Sequence, residues 1–470
     1  MTDPAAPPLC IDLDGTLIRS DLLADGLAAL LARPTALLSA LTRLPDRAAL
    51  KARVAALAPL RPELLPYDQD LLARLRAERA TGRHLVLATA ADGGWARQVA
   101  AHLGLFDEVI ATAPGHNLKG RAKAAALVAR FGDRGFDYAG NAPEDLHVWQ
   151  HARQAWVVGA PAGLAEQAAR LAPVAFSTRR APLAAGLLAA IRPHQWMKNM
   201  LVFVPVLTSH ALLDLGSWLG GLLAFGAFSA TASAIYLLND LTDIDADRAH
   251  PQKSARPFAA GRLPVPAGLL AAAGLVLLGL ALGFFAGMLV PLLVYAAASV
   301  LYSLRLKELP LVDVFVLSGL YTIRIIGGGS ASGHHVTLWL LGFSAFMFLG
   351  LAFMKRVEEL RGASGSLARR GYTATDLPVL AGFGIAASFA SCILLTLFVQ
   401  SDTVGKAYAA PAVLWAIVPL MLFWQCRLWL YVARGYMHHD PLVYALRDWV
   451  SWVVGGAVLA VITAAAASPG

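Results

Sequence analysis

Carboxylates are concentrated at residues 239–247 of this 470-residue sequence. Asn239, Asp240, Asp243 and Asp247 are spaced by three or four residues, so on a helix they lie along one face at successive turns. Carboxylates on one face repel each other unless a cation lies among them, and oxygen ligands suit Mg²⁺, which also binds substrate phosphates. The segment therefore predicts a magnesium site that neutralises a diphosphate leaving group. The alternative is an acidic helix end on the surface.

A basic loop follows these carboxylates directly. Lys253 and Arg256 stand in a K-x-x-R-P segment, and arginine can bind phosphate oxygens through two parallel hydrogen bonds. The acidic cluster and this segment, together about 25 residues, resemble the first signature of the UbiA prenyltransferase superfamily. The apolar helices predicted around them agree with that resemblance over residues 190–467.

The usual second aspartate motif of that superfamily, D-x-x-x-D, is incomplete. Only Asp313 is present, because Leu317 occupies the second position. This departure, with the segments 192–199, 324–329 and 355–360 and, more weakly, 445–448, resembles the decaprenyl-phosphate phosphoribosyltransferase branch. That resemblance implies a phosphoribosyl diphosphate donor and a polyprenyl phosphate acceptor. An acceptor that carries its own phosphate requires more basic residues than a neutral aromatic acceptor.

The resemblance implies the site residues of this half of the chain. Asp240 and Asp243 are the predicted catalytic residues, and they share the magnesium ion with Asp247. Arg192 and Lys198, beside Trp196, have a rival interpretation as interfacial anchors. The predicted substrate-binding residues are Arg192, Lys198, Asn199, Asn239, Lys253, Arg256, Arg305, Lys307, Asp313, Tyr321, Arg324, Lys355 and Arg356.

Two of these residues are charges within one apolar stretch. Asp313 and Arg324 lie eleven residues apart, which is about three helical turns, so both side chains can face the same side. Ionisable groups in a membrane helix face a cavity or a partner, because exposing them to lipid is costly. Three turns is too far for a direct pair, and the spacing favours separate contacts to a ligand over a structural ion pair.

A second chemical motif opens the chain. Residues 9–16 are an apolar run that ends in D-x-D-G-T, and they resemble the first motif of haloacid-dehalogenase (HAD)-type phosphatases. The resemblance implies that Asp12 is the nucleophile and Asp14 the general acid and base, with Mg²⁺ held between them and the phosphate. It also implies that Thr89, at the end of a strand, hydrogen-bonds the phosphate and that Lys119 balances its charge.

The fourth motif of those phosphatases is altered here. Its usual form is G-D-x-x-x-D, whereas this sequence has Gly140, Asn141 and Asp145 in the corresponding places. Asp145 can still hold the metal, but Asn141 removes one negative charge. A binding or scaffold role for this domain without catalysis is therefore the alternative to a phosphatase.

Both resemblances imply a fold for their part of the chain. Residues 1–178 are expected to form an α/β HAD-like domain, a doubly wound parallel sheet whose helical cap covers about 20–65. Residues 179–190 form a polar, basic linker, and residues 191–470 an all-α transmembrane domain of the UbiA fold. The predicted strands lie near 8–13, 84–89, 108–111, 136–139 and 154–158.

Composition independently indicates a membrane protein. Hydrophobic residues make up 57% and charged residues 15%, and the mean hydropathy is +0.58. A spanning helix needs about 20 mostly apolar residues. About nine such stretches follow the linker, roughly 198–213, 217–239, 265–284, 287–303, 311–329, 336–354, 378–400, 411–432 and 448–467.

The distribution of basic residues predicts the orientation. Lys and Arg are concentrated in the loops at about 240–264, 304–310, 355–377 and 433–447, whereas Lys406 is the one clear case on the opposite side. The positive-inside rule then places these loops and the N-terminal domain in the cytoplasm, at the inner membrane. The net charge of +8 is explained in the same way, so no nucleic-acid partner is expected. Three scattered cysteines form neither a metal site nor a disulfide framework.

Taken together, these motifs predict a two-step enzyme. The membrane domain transfers 5-phosphoribose to a polyprenyl phosphate, and the HAD domain then removes the 5-phosphate. One alternative is prenyl transfer to an aromatic or quinone precursor, and another is a lipid-phosphate transporter with a regulatory HAD domain. The one-sided charge distribution argues against transport, which needs access from both faces. Assembly into a homo-oligomer is left open.

Overall fold

A computed structural model describes residues 6–113, 115, 117–209, 213–362, 366–367, 370–437 and 440–466. The chain divides into two units. The first extends to Ile191 and also contains Tyr236–Ala272, while the second contains Arg192–Ile235 and the chain from Ala273 onward. The segment that carries the carboxylate cluster therefore belongs to the same unit as the N-terminal domain.

A parallel sheet forms the centre of the first unit. Its strands have the spatial order β3-β2-β1-β4-β5-β6, and every neighbouring pair is parallel. The central strand β1 is completely buried, as expected where helices cover both faces. The predicted doubly wound sheet is confirmed, with one strand more than expected. The strands are β1 (Leu9–Ile11), β2 (Leu85–Asp92), β3 (Glu108–Thr112), β4 (Asp137–Gly140), β5 (Ala155–Ala160) and β6 (Val174–Arg179).

The helices are numbered here in chain order. They are α1 (Leu22–Leu30), α2 (Pro34–Leu41), α3 (Arg47–Leu57), α4 (Gln69–Ala80), α5 (Gly93–Leu103), α6 (Arg121–Phe131), α7 (Leu146–Trp149), α8 (Leu164–Ala169), α9 (Leu183–Ala190), α10 (Val204–Thr208), α11 (Leu215–Thr242), α12 (Ile244–Arg248), α13 (Val265–Phe285), α14 (Leu289–Leu304), α15 (Val312–Ser332), α16 (Leu338–Gly362), α17 (Leu377–Val399), α18 (Asp402–Ala407), α19 (Ile417–Ala433), α20 (Pro441–Arg447) and α21 (Trp449–Ala466).

Helices α1 to α3 confirm the predicted helical cap after the first strand. Asp21 and Asp46 cap α1 and α3, because each side chain accepts hydrogen bonds from free backbone N–H groups of the first turn. Gly26 of α1 faces Val54 of α3 so closely that a Cβ at Gly26 would lie 2.6 Å from the Val54 side chain. The cap is thus a packed element and not an extended loop.

The carboxylate segment departs from the single helix that was expected. Helix α11 ends at Thr242, and α12 begins at Ile244 after an irregular residue, Asp243, with φ −103° and ψ 13°. The backbone N–H of Asp243 still donates to Asn239, and that of Asp247 to Asp243. The carboxylates therefore come from two consecutive helices, although the turn-by-turn spacing is kept.

Seven described helices are long and apolar enough to cross a membrane: α11, α13, α15, α16, α17 with the turn from Ala374, α19 with the turn from Pro411, and α21. The apolar α14 is shorter, at 16 residues. The first of the nine expected stretches contains the 3₁₀ helix Pro193–Phe203 and the short α10. Its residues 210–212 lie outside the described residues. The chain is a multi-pass membrane protein.

Small residues allow the membrane helices of the second unit to approach closely. A Cβ at Gly328 of α15 would lie 2.0 Å from the backbone oxygen of Val202, and one at Gly220 of α11 would lie 2.1 Å from that of Ala331. Such contacts are a main source of packing in membranes, where apolar burial gives no driving force between helices. They hold α15, which carries several predicted site residues, against its neighbours.

Candidate active sites

The carboxyl end of β1 carries the two aspartates of the N-terminal motif. The backbone N–H of Leu13 donates to Asp12 Oδ1 at 2.9 Å, and that of Leu22 donates to Asp14 Oδ1 at 2.9 Å. Both carboxylates line a cavity of about 630 Å³ between the sheet and the cap. Parallel strands place their carboxyl ends at one edge of the sheet, which is where ligands bind in open α/β folds.

The lysine that contacts Asp12 is Lys123 and not the predicted Lys119. Lys123 Nζ lies 2.9 Å from Asp12 Oδ1 and 3.8 Å from an Asp145 oxygen, and its side chain is 3% exposed. Lys119 is 56% exposed and pairs with Glu144 at 2.9 Å. Both lysines line the cavity, but the motif match selected the one at its rim. Lys123 lies on the first turn of α6, directly after the loop that carries Lys119. Motif spacing alone does not distinguish the two lysines, whereas the position of Lys123 at the start of a helix could have indicated it.

Asn141 lies directly beside the first motif. Its Oδ1 accepts a hydrogen bond from Thr16 Oγ1 at 3.2 Å, and a Cβ at Gly15 would lie 2.1 Å from its Nδ2. Asp145 accepts hydrogen bonds from the backbone N–H groups of Asn141 and Ala142, both at 3.0 Å. The altered fourth motif therefore keeps its place in the site. Asp145 holds the loop that presents Asn141.

Thr89 lies within β2, which continues to Asp92 and does not end at the threonine as expected, and its phosphate contact stays a prediction. Its side chain is fully buried, and its Oγ1 accepts a hydrogen bond from the backbone N–H of Ala91 at 3.0 Å. From the cap, Lys51 Nζ donates to the carbonyl of Ala90 and to Asn117 Oδ1. Lys51 was not predicted, because nothing in the sequence shows that α3 faces the sheet edge.

Burial controls the protonation of this site. It raises the pKa of Asp12 to about 6 against the opposing charge of Lys123, and it raises the pKa of Asp14 well above its usual range. A protonated Asp14 beside an ionised Asp12 suits a general acid next to a nucleophile. Asp12, Asp14 and Asp145 carry oxygen ligands of the kind that Mg²⁺ prefers and line the same cavity, although the described residues do not gather three of them at one point.

The carboxylate segment of the first unit is organised around an arginine. Arg256 Nη1 lies 3.1 Å from Asp240 Oδ1 and 2.8 Å from Asp247 Oδ2, and both carboxylates are buried. Among the described residues, no three His, Cys, Asp or Glu side chains are gathered as metal ligands. Asp243 is half-buried. The structure thus brings Asp240 and Asp247 together around the Arg256 guanidinium, at the place where the carboxylate spacing predicted a metal ion.

In the second unit, two lysines share one carboxylate. Lys198 Nζ and Lys355 Nζ lie 2.9 and 2.8 Å from the same oxygen of Asp440, and the hydroxyl of Tyr321 donates to that carboxylate at 3.2 Å. Although burial alone would raise the pKa of Asp440, Lys355 and Lys198 hold it well below its usual range. Asp440 was not predicted, because it stands in a loop without a recognisable motif.

Arg324 adds a further positive charge to this group. Its Cζ lies 5.9 Å from the centre of the Tyr321 ring. Its donors contact only uncharged acceptors among the described residues: Nε bonds Asn199 Oδ1 at 2.7 Å, Nη2 bonds the Tyr295 hydroxyl at 3.2 Å, and Nη1 bonds the carbonyl of Leu320. We call Lys198, Lys355, Arg324 and Asp440 the basic cluster. It holds three cations for one carboxylate.

Comparison with known proteins identifies the family of each part of the chain. The profile described as the UbiA prenyltransferase family matches residues 200–439, and the profile described as haloacid dehalogenase-like hydrolase matches residues 9–149. An uncharacterised protein of Sinorhizobium fredii, y4nM, is 37% identical over 96% of this chain and 89% of its own length. The chain belongs to the UbiA prenyltransferase family. It also carries an N-terminal HAD-like domain.

Two further proteins are similar to the membrane part of this UbiA-family chain. The decaprenyl-phosphate phosphoribosyltransferase of Mycobacterium tuberculosis is 33% identical over 61% of this chain and 96% of its own length. A solved UbiA homologue from Archaeoglobus fulgidus, bound to DMAPP and Mg²⁺, is 18% identical over 59% of this chain and 99% of that chain, with a TM-score of 0.47.

The incomplete second aspartate motif of this UbiA-family chain has a structural partner. Asp313 lies 2.8 Å from Arg356, both side chains are fully buried, and the Tyr372 hydroxyl donates to Asp313 at 2.6 Å. Arg356 also pairs with Glu359. Through their ion pair Asp313 and Arg356 join α15 to α16. The substrate contacts expected of Asp313 and Arg356 stay predictions.

The remaining predicted residues lie outside the basic cluster. Arg192 is half-buried with a left-handed φ of 53°, and Trp196 Nε1 donates to Ser233 at 2.9 Å. Because Lys198 is buried on Asp440, its interpretation as an interfacial anchor is not favoured. Arg305 is exposed, whereas Lys253, Lys307 and Asn239 are half-buried, and their predicted substrate contacts stay predictions.

Proposed function

We propose that this protein transfers 5-phosphoribose from phosphoribosyl diphosphate to a polyprenyl phosphate with the help of Mg²⁺. The basic cluster is the observation that carries the proposal. Buried charges are costly unless they are paired, and three cations with one carboxylate leave a positive excess that an anion must balance. Phosphate groups on donor and acceptor supply that anion, whereas a neutral aromatic acceptor does not.

In the proposed reaction, a phosphate oxygen of the lipid attacks C1 of the ribose. A new C1–O bond forms as the bond to diphosphate breaks, so diphosphate leaves and phosphoribose stays on the lipid. Lys198, Lys355 and Arg324 bind phosphate oxygens, and Asn199 and Tyr321 orient them. Asp240, Asp243 and Asp247 would hold Mg²⁺, which would supply positive charge for the leaving diphosphate. The similarity to the decaprenyl-phosphate phosphoribosyltransferase of Mycobacterium tuberculosis supports this choice of reaction.

We propose a second step for the HAD-like domain, removal of the 5-phosphate. Asp12 attacks phosphorus and the bond to the 5-oxygen breaks, while Asp14 donates a proton to that oxygen. Water then attacks the aspartyl-phosphate, Asp14 takes a proton from it, and inorganic phosphate leaves. Lys123, 2.9 Å from Asp12, balances the charge of the incoming phosphate. The removal of phosphate makes the preceding transfer effectively irreversible.

The proposed orientation follows from the loops between the spans. The basic loops and both sites are assigned to the cytoplasmic side of the inner membrane, because basic residues are retained there. Water-soluble phosphoribosyl diphosphate is available on that side.

The experiment uses purified protein, ribose-labelled phosphoribosyl diphosphate and farnesyl phosphate as the lipid acceptor. Label should move into the organic phase and should require Mg²⁺. Asp240→Asn and Asp243→Asn should each lower the rate at least about 100-fold, since each removes a carboxylate from the metal. Asp245→Asn, the matched control on the exposed side of α12, should stay within about threefold of the wild type.

Two results would contradict the proposed transfer. One is the absence of labelled lipid under every condition tried. The other is product formation from a prenyl diphosphate and an aromatic acid in place of the sugar transfer, which would identify the alternative prenyltransferase. A labelled lipid that keeps its 5-phosphate indefinitely would contradict the second step alone.

A further inference from the structure

One wall of the cavity beside Asp12 and Asp14 comes from outside the N-terminal domain. The lining includes Phe258, Gly261, Leu263, Pro264 and Val265, which follow the carboxylate segment in the sequence. These residues belong to the first unit, like the two aspartates. The phosphatase-like site is therefore closed by a part of the chain that the UbiA profile covers.

A buried ion pair fixes this wall to the cap. Arg248 Nη2 lies 2.7 Å from Asp25 of α1 and 3.2 Å from the Ser20 hydroxyl, and Arg248 Nε donates to the carbonyl of Ala259 at 3.1 Å. The two charged side chains are only 4% and 13% exposed. Removing one partner of such a pair leaves an uncompensated buried charge. Arg248 thus joins the cap to the residue that directly follows Phe258.

Close packing fixes the wall at a second point. Gly261 has a left-handed φ of 66°, and a Cβ there would lie 2.7 Å from the Cβ of Arg19. Glycine adopts this conformation without strain and leaves the space that Arg19 needs. The wall therefore has one defined position against the start of the cap. A fixed position is needed if these residues are to distinguish one substrate from another.

The lining of the cavity is mixed in character. Phe258, Leu263 and Val265 are apolar, whereas Asp12, Asp14, Lys51 and Arg180 are charged. Val265 is also the first residue of α13, one of the candidate membrane spans. Hydroxyls of a small sugar phosphate would lack hydrogen-bond partners where they face these apolar residues, which is costly, and would find partners only on the charged part of the lining. A lipid-linked ester would place hydrocarbon there.

We infer that residues 258–265 form a specificity wall that selects a phosphomonoester carried on a membrane lipid, and that Arg248 positions this wall. The inference rests on the proposed phosphatase step and deepens it by naming the class of substrate. Phe258, Leu263 and Val265 determine specificity, whereas Arg248 and Asp25 act through them as positioning residues.

The test compares two probes on the full chain in detergent micelles: farnesylphosphoryl 5-phosphoribose and ribose 5-phosphate. The wild type should prefer the lipid-linked probe in kcat/KM. Phe258→Ala should lower that preference about tenfold, the usual effect of removing apolar contacts from a binding pocket. Leu270→Ala, a 75% exposed residue further along α13, is the matched control and should keep the preference within about twofold. An equal loss for both probes in Phe258→Ala would contradict the wall.

The ion pair is tested with Asp25→Asn, Arg248→Gln and the double variant. If the pair acts only by positioning the wall, all three should raise KM for the lipid-linked probe to the same extent and change kcat little. The second substitution then causes no further rise in KM, as expected for two residues that act as one pair. Additive losses, or a fall in kcat for both probes together with a lower thermal midpoint, would contradict the positioning role.

Binding to Asp12→Asn separates this inference from the phosphatase step. Retention of each radiolabelled probe by the Asp12→Asn protein reports binding without turnover. If wild-type protein hydrolyses neither probe, the phosphatase step fails. Tighter binding of the lipid-linked probe by Asp12→Asn, weakened about tenfold by Phe258→Ala, would still support the wall. Equal affinity for the two probes would contradict it.

Discussion

At the scale of single residues, Asp440 is the carboxylate that balances the charge of two lysines. It is the carboxylate on which Lys198 and Lys355 converge, and it also caps α20 by accepting from the Leu442 N–H. Without it, two ammonium groups would face each other in a buried place. The carboxylate therefore keeps the lysines in position until phosphates arrive.

We predict that Asp440→Asn lowers transfer at least about tenfold and weakens the protein, because breaking a buried charge pair leaves the lysines uncompensated. High concentrations of inorganic diphosphate should partly restore the thermal midpoint, since an anion replaces the missing charge. Thermal unfolding and the labelled-lipid assay measure both effects. Asp402→Asn, at an exposed position on α18, is the control. An unchanged rate in Asp440→Asn would remove Asp440 from the site.

Protonation of Asp12 gives a second residue-scale prediction. Burial raises its pKa to about 6, so below that pH the carboxyl group holds a proton that Mg²⁺ must displace. Magnesium affinity of the N-terminal site should therefore fall as pH decreases through about 6, with proton release on binding. Calorimetry in buffers of different ionisation enthalpy detects that release.

The two lysines near this site provide the matched comparison. Lys123→Met removes the cation that lowers the pKa of Asp12 and should move the inflection to higher pH. Lys119→Met should move it less, because Lys119 is exposed and pairs with Glu144. Equal shifts in both variants would contradict the assignment of Lys123 as the partner of Asp12.

At the scale of elements, α15 connects most of the second unit's site. It carries Tyr321 and Arg324 to the basic cluster and Asp313 to Arg356 on α16. Its position depends on Gly328, because the backbone of Val202 occupies the space that a side chain would need. Asn199, the partner of Arg324, lies three residues before Val202 on the 3₁₀ helix Pro193–Phe203.

We predict that Gly328→Ala destabilises the protein by about 1–3 kcal/mol, because the backbone of Val202 cannot move aside as a flexible side chain can. Transfer should fall with it, since the Arg324–Asn199 contact spans the same interface. Gly319→Ala lies on the same helix with open space around it and should be neutral or slightly stabilising. Thermal unfolding in detergent compares the two, and similar midpoints would contradict this packing.

At the scale of the whole molecule, two chemistries stand in one chain. The first unit contains the HAD-like domain together with the carboxylate segment, so the proposed phosphatase and the proposed magnesium ligands share one folded body. The second unit contains the basic cluster.

We predict that the two steps can be separated by substitution and recombined by mixing. Asp12→Asn protein should accumulate labelled lipid that keeps its 5-phosphate, while Asp240→Asn protein should make no labelled lipid from the donor. Mixing both variants should restore the dephosphorylated lipid, because each retains the step that the other lacks. Thin-layer chromatography resolves the two lipids. Phosphate release by Asp12→Asn alone would show that another group is the nucleophile.

The sequence by itself determined the fold class, the family resemblance and the chemistry of the motifs. Hydrophobic length specifies membrane helices and buried apolar runs specify parallel strands, because these signals are local in the chain. The aspartates at 12, 14 and 240–247 were recognisable for the same reason, since their spacing carries their chemistry.

The tertiary structure alone decided which charges meet. Lys123 in place of Lys119, Asp440 between two lysines, Asp313 on Arg356, and Arg256 between Asp240 and Asp247 all join residues whose pairing no short motif encodes. The Arg248–Asp25 pair likewise joins positions 223 residues apart. Such pairs form because burial makes an unpartnered charge costly, and the fold, not the spacing, determines which partner is within reach.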